Sequence, residues 1–387
     1  MRRLYVSLVV AASAARAAAD PSWLAGDHAS GDWGGVRDTL ADHGVAFDLI
    51  YSAEAFADIG HGGTALGHVD GSLTLDTQKL GLWPGGTLYA LGQNNHGSGI
   101  SDRVGSAAPV SNLDVADPYT QLTELFYEQH AFDDTLSIRI GKQDANRDFG
   151  TPRFGGNFLN ANSGMFPNSA LPSYPTTGLG ALVAVRVTAW LTARTGIYEG
   201  SPSFGGFGLD TAFAPGAGTI AAAGLAATRH GGLGQRDDGT TSVGLWHATG
   251  AFDEIGAAMP RTFATNDGFF VQHDEHLYAN PDDPKDATGL NVILRFSWAR
   301  SDRNAISRYA GGTAAWHGLG MRNDDTIGIG VGYLALGAHR DELYVELTYK
   351  WRITKFVSLQ PDVELYRHPG GDGRDAFLAG GRIKLKL

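Results

Sequence analysis

Thirteen His, 41 Asp plus Glu, 30 Lys plus Arg and no Cys set the chemistry open to this chain of 387 residues. Without a thiol there is no thiolate nucleophile, no disulfide framework and no cysteine zinc site. His273 and His276, in His-Asp-Glu-His, most resemble metal ligands. On a strand, positions three apart face opposite sides, so a shared ion is not expected. The run Gly328-Ile329-Gly330-Val331-Gly332 lacks the following helix of a dinucleotide loop and reads as small residues making room on one strand face. The acidic pairs Asp237-Asp238, Asp282-Asp283 and Asp324-Asp325 fall in loops or turns, where calcium binding is conceivable and solvation is the default. Neither H-E-x-x-H nor G-x-S-x-G occurs, and nothing marks a carboxylate pair for glycoside hydrolysis. The sequence therefore predicts no enzyme, no resident metal and no cofactor.

Arginines and carboxylates inside alternating segments remain, and the segments decide what they can do. In 290–299, Leu290, Val292, Leu294, Phe296 and Trp298 alternate with Asn291, Arg295 and Ser297. In 341–351, Leu343, Val345, Leu347, Tyr349 and Trp351 oppose Glu342, Tyr344, Glu346, Thr348 and Lys350. The last segment sets Phe377, Ala379, Ile383, Leu385 and Leu387 against Arg382, Lys384 and Lys386. Such period-two patterning, with one face apolar and one polar, is that of a strand. Further strands are expected at 45–56, 68–80, 86–95, 119–130, 135–142, 179–189, 190–198, 219–229, 240–250, 267–278, 307–317, 325–336 and 356–367, of which 219–229 is the weakest; the total is sixteen.

Strands of this length exceed the ~5–6 residues of soluble sheets, and ten residues at ~3.3 Å, tilted ~40°, rise about 25 Å, the apolar band of a membrane barrel. Trp83, Trp190, Trp298, Trp316, Trp351, Tyr89 and Tyr198 fall near strand ends, as aromatic girdles require. Short turns (131–134, 337–340, 352–355) are expected to alternate with long loops (97–118, 143–178, 199–218, 279–288). Gly at 54 of 387 residues supplies turns and corners. The architecture predicted is a 16-stranded antiparallel transmembrane β-barrel over 45–387. A soluble, secreted carbohydrate-binding β-sandwich or propeller is the alternative from another class.

An arginine facing lipid near the midplane costs about 2–4 kcal/mol, so Arg139, Arg186, Arg194 and Arg295 should face a water-filled lumen, together with Glu124 and Glu346. The first 19 residues read as a cleaved export signal: Arg2 and Arg3, an apolar stretch too short to span a bilayer, and a small-residue site ending at Ala19. Residues 20–44 follow as a periplasmic segment, with a short helix from Trp33 to His43 that Asp32 caps and Gly44 stops, placed to narrow a mouth or simply to pack on it. A formal charge of −11 with no basic run predicts no nucleic-acid partner.

Gly31-Asp32-Trp33-Gly34-Gly35-Val36-Arg37, Glu124-Leu125-Phe126-Tyr127-Glu128-Gln129, Phe158-Leu159-Asn160, Gly196-Ile197-Tyr198-Glu199-Gly200, Asp302-Arg303-Asn304, Leu359-Gln360-Pro361-Asp362 and Pro369-Gly370-Gly371 occur in this order. In order and spacing they resemble the carbohydrate-selective porins of the OprB type, found in Gram-negative outer membranes. The match thins over 201–235, and Leu387 stands where outer-membrane barrels usually end in an aromatic residue. The resemblance implies a 16-stranded outer-membrane barrel passing monosaccharides and small oligosaccharides by diffusion through a narrow polar eyelet.

Its implied partners are carbohydrates, outer-membrane lipid, the barrel-assembly machinery and, as an option, two further copies in a homotrimer. Sugar hydroxyls both donate and accept, so the expected eyelet mixes signs: Arg139, Arg186, Arg194, Arg295, Glu124 and Glu346 from the wall, and Asp144, Arg147 and Arg153 from the long loop. A general diffusion or saccharide-export channel is the alternative within the same membrane.

Overall fold

The computed structural model describes residues 21–209, 214–229, 239–279, 288–318, 322–337 and 339–387. The export signal expected over 1–19 and the pairs Asp237-Asp238 and Asp282-Asp283 lie outside the described residues. Two N-terminal helices, α1 (Pro21–Leu24) and α2 (Val36–Asp42), precede β1 (Val45–Asp58), β2 (Gly62–Asp76) and β3 (Gly86–Gly97); a one-turn helix α3 (Ser101–Val104) leads to β4 (Tyr119–Ala131) and β5 (Leu136–Gln143). A second one-turn helix, α4 (Asn146–Phe149), precedes β6 (Gly178–Arg186), β7 (Leu191–Glu199), β8 (Thr219–Arg229), β9 (Gly239–Asp253), β10 (Thr262–Ala279) and β11 (Gly289–Ala299). The sheet ends with β12 (Arg308–His317), β13 (Thr326–Ala335), β14 (Glu342–Arg352), β15 (Val357–Arg367) and β16 (Ala376–Lys386).

Each strand pairs with its neighbours in sequence, and β16 returns antiparallel to β1 in the register Ala53↔Ile383 and Phe56↔Gly380, closing the sheet. Closure leaves no unpaired backbone edge, which is what a sheet in lipid requires. Burial is inverted relative to a soluble protein. Leu294 is 61% and Ile140 60% exposed on the outward phase, whereas Glu346 and Glu364 on the inward phase are 0% exposed. An outer surface of large apolar side chains fits an acyl-chain environment and leaves the soluble alternative without support.

Three expectations need correction. Tyr198 is buried inside the barrel, and Tyr89 stands on the same inward phase as Gln93 and Asn95, so neither belongs to a girdle. The short 336–341 connection sits at the same end as the long loops 98–118, 144–177 and 200–218, so short and long connections do not alternate strictly. Helix α2 starts at Val36, because Trp33, Gly34 and Gly35 all have positive φ (56°, 68° and 88°); the Asp32 carboxylate accepts from Gly34 N at 3.1 Å rather than from a helical N–H. Gly44 does end it, at φ +89°, where a Cβ would lie 2.8 Å from Asp76 O.

The N-terminal segment is tied to the barrel rim. Ala29 N donates to Lys386 O at 2.8 Å, and Arg37 donates to Phe47 O and Leu387 O, both at 3.3 Å. The Trp33 ring stacks on outward-facing Phe47 at 5.1 Å. Connections at this end include the turns 77–85, 132–135, 187–190 and 353–356 and also the 280–288 connection, expected as a long loop, most of which lies outside the described residues.

Candidate functional site: the lumen and its inserted loop

The longest connection, 144–177 between β5 and β6, turns into the barrel and shares a core with its wall. Phe158, Leu159 and Phe166 of the loop are buried, and Phe166 stacks on Phe270 of β10 at 5.0 Å. The glycines of β13 make this approach possible, since a Cβ at Gly328 would lie 2.8 Å from the Phe158 ring. Making room on one face is what the sequence pattern predicts for that run.

Two residues expected to line the water path hold the loop instead. Arg295 of β11 is 5% exposed; it donates to Asn162 O at 2.6 Å, Met165 O at 2.9 Å and Gly150 O at 2.5 Å, and lies 3.9 Å from the Phe166 ring centre. Loop carbonyls thus take over the solvation of a fully desolvated guanidinium. Glu346 of β14 accepts Leu159 N at 2.7 Å and Asn160 N at 3.3 Å. Gln360 donates to Asn157 O, Tyr309 to Asn162 O, and Ser297 to Asn168 Oδ1. These inward-phase side chains are covered because the loop lies over them.

The loop edge beginning at Asp144 carries the mixed-sign group. Thr123 is unmatched in the β3–β4 ladder, where Leu91 pairs with Glu124 and Gly92 with Leu122. This bulge lets Thr123 and Glu124 both point inward, and they are 1% and 2% exposed. Arg147 pairs with Glu124 and stands over the Tyr89 and Phe126 rings at 5.4 and 5.7 Å. Arg139 is clamped between Glu128, at 3.1 Å, and Asp148, at 2.6 Å. Burial raises the Asp144 carboxyl to about 6, against the lowering effect of Arg147, and raises Asp148 as well, against that of Arg139.

Of the other expected residues, Arg153 lies over the Phe154 ring at 4.4 Å and 3.4 Å from Asp274. Arg194 projects inward on the phase of Tyr198, and Arg186 sits exposed at the rim, donating to Asp133 O. The structure thus brings together Glu124, Asp144, Arg147 and Arg139, with Arg194 near enough to Asp148 to act on its carboxyl, and places Arg153 and Arg186 elsewhere. His273 and His276 face opposite sides: His273 meets Thr241 at 2.9 Å and His276 meets Asn291 at 2.7 Å. Asp325 accepts from Arg322, Tyr349 and Arg352 N, so its carboxylate is committed to the wall.

A second lining includes residues that the sequence placed on polar strand faces without a role, Arg382, Lys384 and Lys386, and others it left out, Tyr174 and His68. Tyr174 of the loop reaches Tyr119 at 3.0 Å and packs edge-on to His68 at 5.8 Å, and His68 bonds Asp70 at 3.0 Å. Arg382 of β16 holds Glu54 and Asn112. Toward the chain termini, Lys350, Arg352, Lys355, Lys384 and Lys386 surround a cavity of about 500 Å³ that also meets His317 and Asp324. The polar phase of the last strand, Arg382-x-Lys384-x-Lys386, was the signal for this cluster.

Together the lumen offers donors and acceptors of both signs beside aromatic faces, suited to a neutral polyhydroxylated solute. Residues 60–387 match the family model described as "Carbohydrate-selective porin, OprB family". Porin B of Pseudomonas aeruginosa is 22% identical over 413 residues, covering 92% of this chain and 90% of that protein. A high-pH structure of Pseudomonas putida OprB superposes with a TM-score of 0.81 at 19% identity, covering 94% of this chain and 99% of that one. Its low-pH structure gives 0.64 at 18% identity, covering 93% and 98%. At such identities the structural likeness establishes the fold alone.

Proposed function

The chain belongs to the OprB family of carbohydrate-selective porins, and from that premise we propose that it passes monosaccharides and small oligosaccharides by passive diffusion through an eyelet beside the inserted loop. It is an outer-membrane porin of the carbohydrate-selective type. The observation that carries the finer reading is the Arg147–Glu124 pair beside Tyr89 and Phe126. The guanidinium donates to hydroxyl lone pairs, the carboxylate accepts from hydroxyl O–H groups, and a ring face takes the apolar side of a pyranose. Release must remain fast, so a millimolar Kd, about −4 kcal/mol, suits flux.

On this reading the long-loop end faces outside and the chain termini face the periplasm, as in barrels with short periplasmic turns. The leader 1–19 is removed on export, the barrel-assembly machinery inserts the chain into outer-membrane lipid, and chemical crosslinking tests whether barrels trimerise. The functional test is planar-bilayer conductance of the refolded chain with increasing glucose and a size-matched non-sugar polyol. Saturable block by glucose but not by the polyol is expected. Conductance without block would leave a general diffusion channel.

A further inference from the structure

Glu346 and Glu364 stand directly opposite one another on β14 and β15, with Thr348 opposite Asp362 beside them. Like charges facing across an antiparallel pair repel, and here no solvent relieves them, because Glu346, Glu364 and Asp362 are 0%, 0% and 3% exposed. One oxygen of each glutamate holds the inserted loop: Glu346 Oε1 accepts Leu159 N, and Glu364 Oε2 accepts Asn160 Nδ2 at 2.9 Å and Tyr366 OH at 2.7 Å. The oxygens left over, Glu346 Oε2, Glu364 Oε1 and both of Asp362, are buried with no hydrogen-bond partner. The three residues bring ligand oxygens within 4.8 Å of one another. On the neighbouring strand, Arg382 is engaged by Glu54 and by Asn112 Oδ1 at 2.5 Å.

We propose that Glu346, Asp362 and Glu364 form a binding site for one calcium ion, which neutralises the wall carboxylates and fixes the inserted loop to β14 and β15. A donor set of carboxylate oxygens alone selects a hard cation. Calcium–oxygen bonds of about 2.3–2.6 Å place ligands across the ion at up to roughly 4.6–5.2 Å, whereas about 2.1 Å for magnesium allows only about 4.2 Å. The ligand oxygens lie within 4.8 Å of one another, inside the span a calcium ion bridges, and a buried set of carboxylates suits calcium better than magnesium, which gives up its waters reluctantly. The four free oxygens leave room for about two to four neutral ligands. The ion binds residues whose other oxygens grip Leu159 and Asn160, so its occupancy is coupled to loop order. The site does not depend on the solute that the pore prefers.

The refolded full barrel in detergent, stripped with a chelator, is titrated with terbium while tyrosine is excited, since Tyr366 hydrogen-bonds Glu364 directly. Saturable sensitised emission is expected at one equivalent, displaced by calcium at far lower concentration than by magnesium. The double variant Asp362→Asn/Glu364→Gln should weaken terbium binding at least tenfold, while Glu342→Gln, a buried β14 carboxylate outside the trio, should not. Absence of saturable emission, or a double variant that titrates like the parent, overturns the proposal. Should the double variant not refold, the calcium content of the parent barrel after dialysis decides: one ion per chain supports the site. None assigns the trio to shared protons and overturns it.

Discussion

Arg295 and Arg147 are both inward-facing cations, and they do opposite jobs. Arg295 is buried and donates to three loop carbonyls, so Arg295→Met removes bonds that contribute about 1.5–3 kcal/mol each, less what relaxation recovers. The expected result is a destabilisation of about 3 kcal/mol in denaturant unfolding, together with larger and noisier conductance as the 144–177 loop leaves the wall. Arg147 is 40% exposed but its partner Glu124 is buried, so Arg147→Gln, which keeps a neutral donor beside that carboxylate, should cost about 1–3 kcal/mol. It should raise the half-blocking glucose concentration about tenfold in bilayer titrations, since one charge-assisted bond is lost. The alternating pattern showed that Arg139, Arg194, Arg295 and Glu346 point inward. It could not show which are covered, because the cover is a loop far away in sequence, and strand phase carries no record of it.

Strand periodicity made all sixteen strands legible, including β8, whose pattern is faint. That faintness has a cause: Ala222, Gly224 and Ala226 are small where the wall meets the inserted loop, and a Cβ on Gly224 would lie 3.3 Å from Phe149. Less legible was the bulge at Thr123, which puts two consecutive residues inside and breaks the simple parity of β4. Deleting Thr123 should restore continuous pairing and keep Tyr119, Gln121, Glu124, Phe126 and Glu128 inward, at the loss of the 2.6 Å bond from Thr123 to Gln93. Deleting Val345 from the regular ladder of β14 should instead turn either Glu342 and Tyr344 or Glu346, Thr348 and Lys350 toward lipid, a penalty of a few kcal/mol. Heat-modifiable gel migration after refolding checks both. The Thr123 deletion should assemble like the parent and the Val345 deletion should not.

For the molecule as a whole, a formal charge of −11 says little about the pore, because charge is segregated by position. The cavity at the terminal end is ringed by Lys350, Arg352, Lys355, Lys384 and Lys386, with Asp324 beside them and Asp48 paired to Lys386 at 2.8 Å. A confined mouth with this excess of cations concentrates anions, while a neutral sugar passes it without electrostatic gain. Under a potassium chloride gradient the reversal potential should therefore indicate anion preference, despite the acidic overall composition. The preference should fade as bath salt rises from 0.1 to 1 M, because the screening length falls from about 10 Å to about 3 Å. Lys350→Ala/Lys384→Ala should move the reversal potential toward cations and leave glucose block unchanged, since the Arg147–Glu124 pair is untouched. A joint loss of ion preference and sugar block in that variant would mean that one set of charges serves both, and would move the eyelet from the loop edge to the basic mouth.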